Sequence, residues 1–204
     1  MATLIRDPEV ELRLRSERAA TGADRYDEIW EGIYMMALMP NDEHQQIVSR
    51  FVSILEEIIG WPSKGNVRPG VNVSDRADDW QQNYRVPDVA VFLAGGMAVN
   101  HGAFWQGGPD FVVEVISPDD NSREKIPFYS RVGVRELLLV DRQPWRLELY
   151  RLQGDRLNRE ATVQPDHEQT VSSNVVPLTF GLISQSDRPH IEVAHAASDR
   201  VWMV

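Results

Sequence analysis

The stretch Pro109-Asp110-Phe111-Val112-Val113-Glu114-Val115-Ile116-Ser117-Pro118 decides the fold of this chain. A strand with one face in water alternates polar and apolar residues, so this near-continuous apolar run reads as a strand covered on both faces. One carboxylate, Glu114, interrupts it. Downstream come a turn at Ser117 to Asn121, a helix from about Ser122 to Arg131 with Gly133 as its terminator, and a second apolar strand, Glu136 to Asp141. Strand, short crossover helix and strand form a βαβ unit whose two strands run parallel. Gln143-Pro144 turns the chain into Trp145 to Leu152, where Leu147 and Leu149 alternate with Arg146 and Glu148 as in an antiparallel partner. The fold class that follows is α/β.

Upstream, Val86 to Phe92 and Val67 to Val73 read as strands separated by the polar segment Ser74 to Tyr84, expected to be a mobile loop. A second, glycine-rich loop spans Ala94 to Gly108. Between His44 and Ile59 the residues Ile47, Val48, Phe51, Leu55, Ile58 and Ile59 recur at helical spacing, which predicts a long helix capped by Asn41 or Asp42. Before it, Arg25 to Met39 reads as a hairpin around Gly32, stopping at Pro40. Asp7-Pro8 opens a short N-terminal helix that ends near Gly22. Beyond Gly154 the pattern weakens to short strands around Val163 and Val171 and a last apolar cluster at Val175, Leu178, Phe180 and Leu182. The organisation expected is a helical extension over 1–24, one domain over 25–184 and a C-terminal tail over 185–204.

A chain of 204 residues, 42% hydrophobic and 25% charged, has the composition of a folded globular domain. No stretch approaches the roughly 18 apolar residues of a membrane helix, and the N-terminus lacks the apolar core of a signal peptide, so a cytoplasmic location is expected. Without cysteine, disulfides, thiolate zinc sites and thiol nucleophiles are excluded, and any metal must be held by oxygen or imidazole. The net charge of −10 works against binding of nucleic acid, unless the arginines gather on one face.

An ionised carboxylate inside an apolar strand is costly unless a cation or a hydrogen-bonding network offsets it, so Glu114 demands a partner. Asp88, after Pro87 at the head of another apolar strand, and Lys125, in the crossover helix, complete a compact set of two carboxylates and an ammonium. Phosphodiester hydrolysis uses that set: carboxylates hold Mg²⁺ or Mn²⁺, the metal generates the nucleophilic hydroxide, and a lysine orients water or steadies phosphate. The structural alternative is an ion pair between Glu114 and Lys125, with Asp88 capping a turn.

The residues Arg85-Val-Pro-Asp88-Val-Ala-Val-Phe92, Pro109 to Pro118, Lys125 with Tyr129, Gly133-Val-Arg-Glu136 and Val140-Asp141 resemble the bacterial Uma-two family of restriction-endonuclease-like proteins. Tyr26-Asp27 through Glu31-Gly32, Pro40, and His44 opening a long helix extend the likeness to about residues 25 to 152. The resemblance implies a mixed β-sheet flanked by helices, with additional antiparallel hairpins, and a nuclease acting on nucleic acid, DNA foremost. It also implies Asp88, Glu114 and the Val115 carbonyl as metal ligands. In the wider superfamily the catalytic lysine stands two residues after the glutamate. Here that position is Ile116, and Lys125, four residues before Tyr129 as in the family, takes its place.

His44 is a candidate auxiliary residue beside the metal, the alternative being a solvent-facing histidine in a first helical turn. Ser117-Pro118 is expected to terminate its strand, Tyr129 and Trp145 to be core aromatics, Asp119 and Asp120 to serve the turn, and Glu124 to cap against Asn121. Two further functions stay open: a non-catalytic nucleic-acid-binding or assembly module on the same fold, and a hydrolase of other phosphate esters. Self-association as a homodimer or larger homo-oligomer is expected from apolar edge strands.

Overall fold

The computed structural model describes residues 8–117, 121–165 and 169–204. The expectations for Asp7, Pro118, Asp119 and Asp120 lie outside these residues. In chain order, α1 (Pro8–Thr21) leads to the hairpin β1 (Glu28–Trp30) and β2 (Ile33–Met35), and then to α2 (Asp42–Leu55), which continues into a wider π turn, Glu56–Gly60. Then come β3 (Gly65–Pro69), β4 (Val73–Ser74), β5 (Tyr84–Arg85), β6 (Val89–Leu93), β7 (Val99–Asn100), β8 (Trp105–Gln106) and β9 (Phe111–Ile116). A 3₁₀ turn, Ser122–Lys125, precedes α3 (Ile126–Val132), β10 (Glu136–Arg142), β11 (Trp145–Gln153) and β12 (Arg156–Val163). The last strands are β13 (Thr170–Ser172), β14 (Leu178–Ile183), β15 (His190–His195) and β16 (Val201–Met203).

The central sheet has the order β12-β11-β10-β9-β6-β3. Only β9 and β10 are parallel in it, with Glu114 opposite Leu139, as expected of the βαβ unit. Alternation along β9 sends Phe111, Val113 and Val115 to one face and Val112 and Glu114 to the other. The first face packs on α2 through Ile47, Phe51 and Leu55, and on the C-terminal sheet through Phe180 and Val193. The second packs on α3 through Phe128 and Tyr129, which meet Val112, Leu137 and Leu139. Fully burying each such side chain contributes about 1.5–3 kcal/mol. The crossover is short because α3 stops at Gly133, whose φ of +85° suits a residue without a Cβ.

Sequence and structure differ at several places, and the stretch 94–108, read as a loop, carries the short strands β7 and β8. The strand expected over Val67 to Val73 is two strands in different sheets. Gly70, at φ +58° and with the Tyr26 ring where a Cβ would project, bends the chain from the central sheet into an outer one of order β2-β1-β5-β4-β8-β7. The segment read as a mobile loop, 74–84, is held by buried Asn83, whose side chain donates to Glu31 and Asp75 at 3.0 Å each. The stretch 185–204, read as a tail, carries β15 and β16, and Ile191 and Val193 are fully buried in the main core. Its apolar alternation is only two residues long on the inner face, too short to stand out from sequence. Among the described residues no helix is long and apolar enough to cross a membrane.

Candidate active site

β6 and β9 pair antiparallel with Val89 opposite Val113, so Asp88, one residue ahead of β6, falls opposite Glu114 on the α3 face. The Asp88 carboxylate accepts the Val115 N–H at 2.7 Å through Oδ2, and its Oδ1 lies 3.0 Å from His44 Nε2. His44 arrives from the first turn of α2, which Asn41 caps by accepting the His44 N–H at 2.9 Å. It is buried, not solvent-facing, and its Nδ1 lies 3.2 Å from Ser117 Oγ. Arg142 donates to the same hydroxyl at 3.2 Å and pairs with Glu43 at 2.7 Å.

Glu114 Oε1 accepts from Lys125 Nζ at 3.1 Å and from the Tyr129 hydroxyl through a short bond. Tyr129 is fully buried, as expected of a core aromatic, yet its polar end belongs to the site. Trp145 is half-buried against the core, with the Arg188 guanidinium 5.4 Å over its ring. Lys125 closes the 3₁₀ turn immediately before α3. That turn is fixed on its other side by Arg123, which donates to Asp141 at 2.8 Å and to Glu148. Glu124 meets Asn121 through its backbone N–H at 2.8 Å, and no Asn121 side-chain cap forms.

One carboxylate escaped the sequence reading. Glu28, on the three-residue β1, brings Oε1 to 2.9 Å from Lys125 Nζ. The same oxygen accepts the Val86 N–H at 2.7 Å, and Oε2 accepts the Trp30 indole N–H at 2.5 Å. Arg85 holds the Trp30 ring, with its guanidinium 4.4 Å from that ring and 4.3 Å from the Phe128 ring. The available signal was a glutamate beside Ile29 and Trp30 in an apolar hairpin, on a strand too short for alternation to show which way it faces.

Burial pushes the Glu114 carboxyl up to about 8, and the charges of Asp88 and Glu28 push the same way against Lys125. For Lys125, burial alone would lower the value, but Glu114, Glu28 and Asp88 outweigh it and hold the ammonium charged. Burial and then Glu114 raise the Tyr129 phenol well above its ordinary value, so it remains a donor. A carboxyl with a raised folded value stabilises the fold in its protonated form. That contribution is complete below the ordinary 4.5 and is lost as pH rises toward about 8. In metal-free solution the native chain is therefore expected to lose more stability from pH 5 to pH 8 than Glu114→Gln does. Parallel pH slopes in urea unfolding of the two chains would contradict this assignment.

Among the described residues no group of three or more carboxylate or imidazole side chains converges as a metal cage. The donor set is the two carboxylates of one strand pair, half-buried Asp88 and buried Glu114, and Lys125 is paired with Glu114 and with buried Glu28. Such a set suits Mg²⁺, which keeps water and substrate oxygens in its shell and needs only one or two protein carboxylates. The set opens into a cleft of about 1020 Å³ whose lining includes Glu28, His44, Asp88, Glu114, Ser117 and Lys125.

Among solved structures, a "putative nuclease belonging to DUF820" from Anabaena variabilis ATCC 29413 superposes with a TM-score of 0.57 at 21% identity, over 73% of this chain and 83% of that one. At that identity the likeness establishes the shared fold. A search of curated proteins found no match. The model of the Uma2 family, described as "Putative restriction endonuclease", matches residues 12–184, and the chain belongs to that family.

Proposed function

We propose that this protein is a divalent-metal-dependent endonuclease hydrolysing phosphodiester bonds, with DNA as the favoured substrate. One observation carries the reading: Asp88 and Glu114 lie opposite each other on adjacent strands, with Lys125 Nζ 3.1 Å from Glu114 at the floor of an open cleft. The family membership and the nuclease-like fold support it. Asp88, Glu114 and the Val115 carbonyl would hold Mg²⁺ or Mn²⁺, which supplies an activated water and neutralises developing charge. Lys125, kept charged by three carboxylates, has a donor to orient that water or a phosphate oxygen. Glu28 and Tyr129 fix the lysine and Glu114 in place, and His44 fixes Asp88.

Isothermal titration with Mg²⁺ and Mn²⁺, followed by nicking of supercoiled plasmid, tests the proposal. Metal uptake and nicking are expected for the native chain, with both lost in Asp88→Asn. The second reading, a non-catalytic module on the same fold, draws on the net charge of −10. Metal uptake with no nicking of any nucleic acid would favour it.

A further inference from the structure

The cleft extends well beyond the carboxylates. Its lining follows one face of α2 through Asn41, Gln45, Val48, Ser49, Val52 and Ser53. That is about 18 Å of groove at 1.5 Å per residue. The segment from Met35 to Pro40 lines it as well, and there Leu38 and Met39 are 73% and 75% exposed. Near the mouth, half-buried Tyr26 carries the Arg25 guanidinium 5.5 Å over its ring. Apolar surface left in water beside a polar catalytic floor calls for an occupant.

Charge limits which nucleic acid that occupant is. Duplex binders neutralise many phosphates, commonly with free lysines and arginines. This chain has only two lysines, Lys64 and Lys125, and most of its arginines are held by carboxylates of the chain itself. Of the cations lining the cleft, Arg18 is bound to Asp27 at 2.6 Å and Lys125 to Glu28 and Glu114. Arg25 makes no ion pair among the described residues. The surface that remains offers stacking and apolar contact to bases, which a paired duplex hides and an unpaired strand presents. Resting on the nuclease reading, we infer that the substrate is a single-stranded or locally unpaired nucleic-acid strand, laid along α2 with its bases against Tyr26 and the Met35–Pro40 segment.

The test is fluorescence anisotropy in Ca²⁺ with a labelled 12-nucleotide DNA, single-stranded or annealed to its complement, alongside cleavage of both forms in Mg²⁺. The single strand is expected to bind at least tenfold tighter than the duplex. Its affinity should change less than about tenfold between 50 and 200 mM salt, where six to ten phosphate contacts would lose a thousandfold or more. Tyr26→Ala should weaken single-strand binding at least fivefold, and Leu38→Ser/Met39→Ser, which alters only exposed side chains, should weaken it with an unchanged melting temperature. Equal or tighter duplex binding, or indifference to both variants, overturns the inference. So does failure to bind either form. Cleavage of both forms at similar rates with no single-strand preference would overturn it while leaving the nuclease reading standing. Variant-sensitive single-strand binding without cleavage of any substrate would do the reverse.

Discussion

Glu114→Gln is expected to reduce plasmid nicking about a thousandfold while leaving the fold at least as stable as the native one in metal-free buffer at pH 8. A catalytic metal stabilises the transition state by several kcal/mol, and about 4 kcal/mol corresponds to a thousandfold in rate. The amide removes a charged oxygen donor without changing shape, so the loss falls on metal binding and turnover. Stability moves the other way because Glu114 is only 2% exposed and its ionised form is opposed by burial, Asp88 and Glu28. Lys125 keeps Glu28 as its partner at 2.9 Å. Nicking rates and urea midpoints measured on the same preparation check both halves. Retained nicking would remove the carboxylate from the chemistry, and a large loss of stability would return it to a structural ion pair.

Lys125→Met should do the opposite, costing about 3–5 kcal/mol of stability as well as activity, because it strands buried carboxylates without their cation. Glu28 and Glu114 are 7% and 2% exposed at their side chains, and Lys125 itself is 12% exposed, so solvent offers little relief. Adding Glu114→Gln to the same chain should recover part of the loss, as expected for two groups in contact. Activity should not return. Unfolding in EDTA is the measurement, and a single variant within about 1 kcal/mol of native would show that the cluster relaxes around the missing ammonium.

Much of the candidate site was legible because its residues interrupt strong patterns. Glu114 breaks an apolar run, Asp88 follows a proline at a strand head, and the βαβ unit forces Lys125 back toward β9, where it lies 3.1 Å from Glu114. His44 was legible as a place, the first turn of a strongly amphipathic helix, but not as a direction. Its ring partners, Asp88 and Ser117, are distant in sequence. Glu28 was invisible for a different reason. Its position depends on β1 pairing with β5 through the single register Ile29 to Tyr84, a long-range contact that no local periodicity encodes. The C-terminal strands share that handicap: their sheet partners are one another, and their tie to the core is long-range packing, as of Phe180 on Phe51 and Phe111.

The double anchoring of the 122–125 turn, Arg123 on the β10–β11 side and Lys125 on the β1–β9 side, has a thermodynamic meaning beyond its geometry. The ordering entropy of the ammonium is spent when the polypeptide folds, not when a ligand arrives. On the proposed nuclease reading, an incoming phosphate would meet a rigid receptor, and its binding energy would remain free to strain or align the scissile bond.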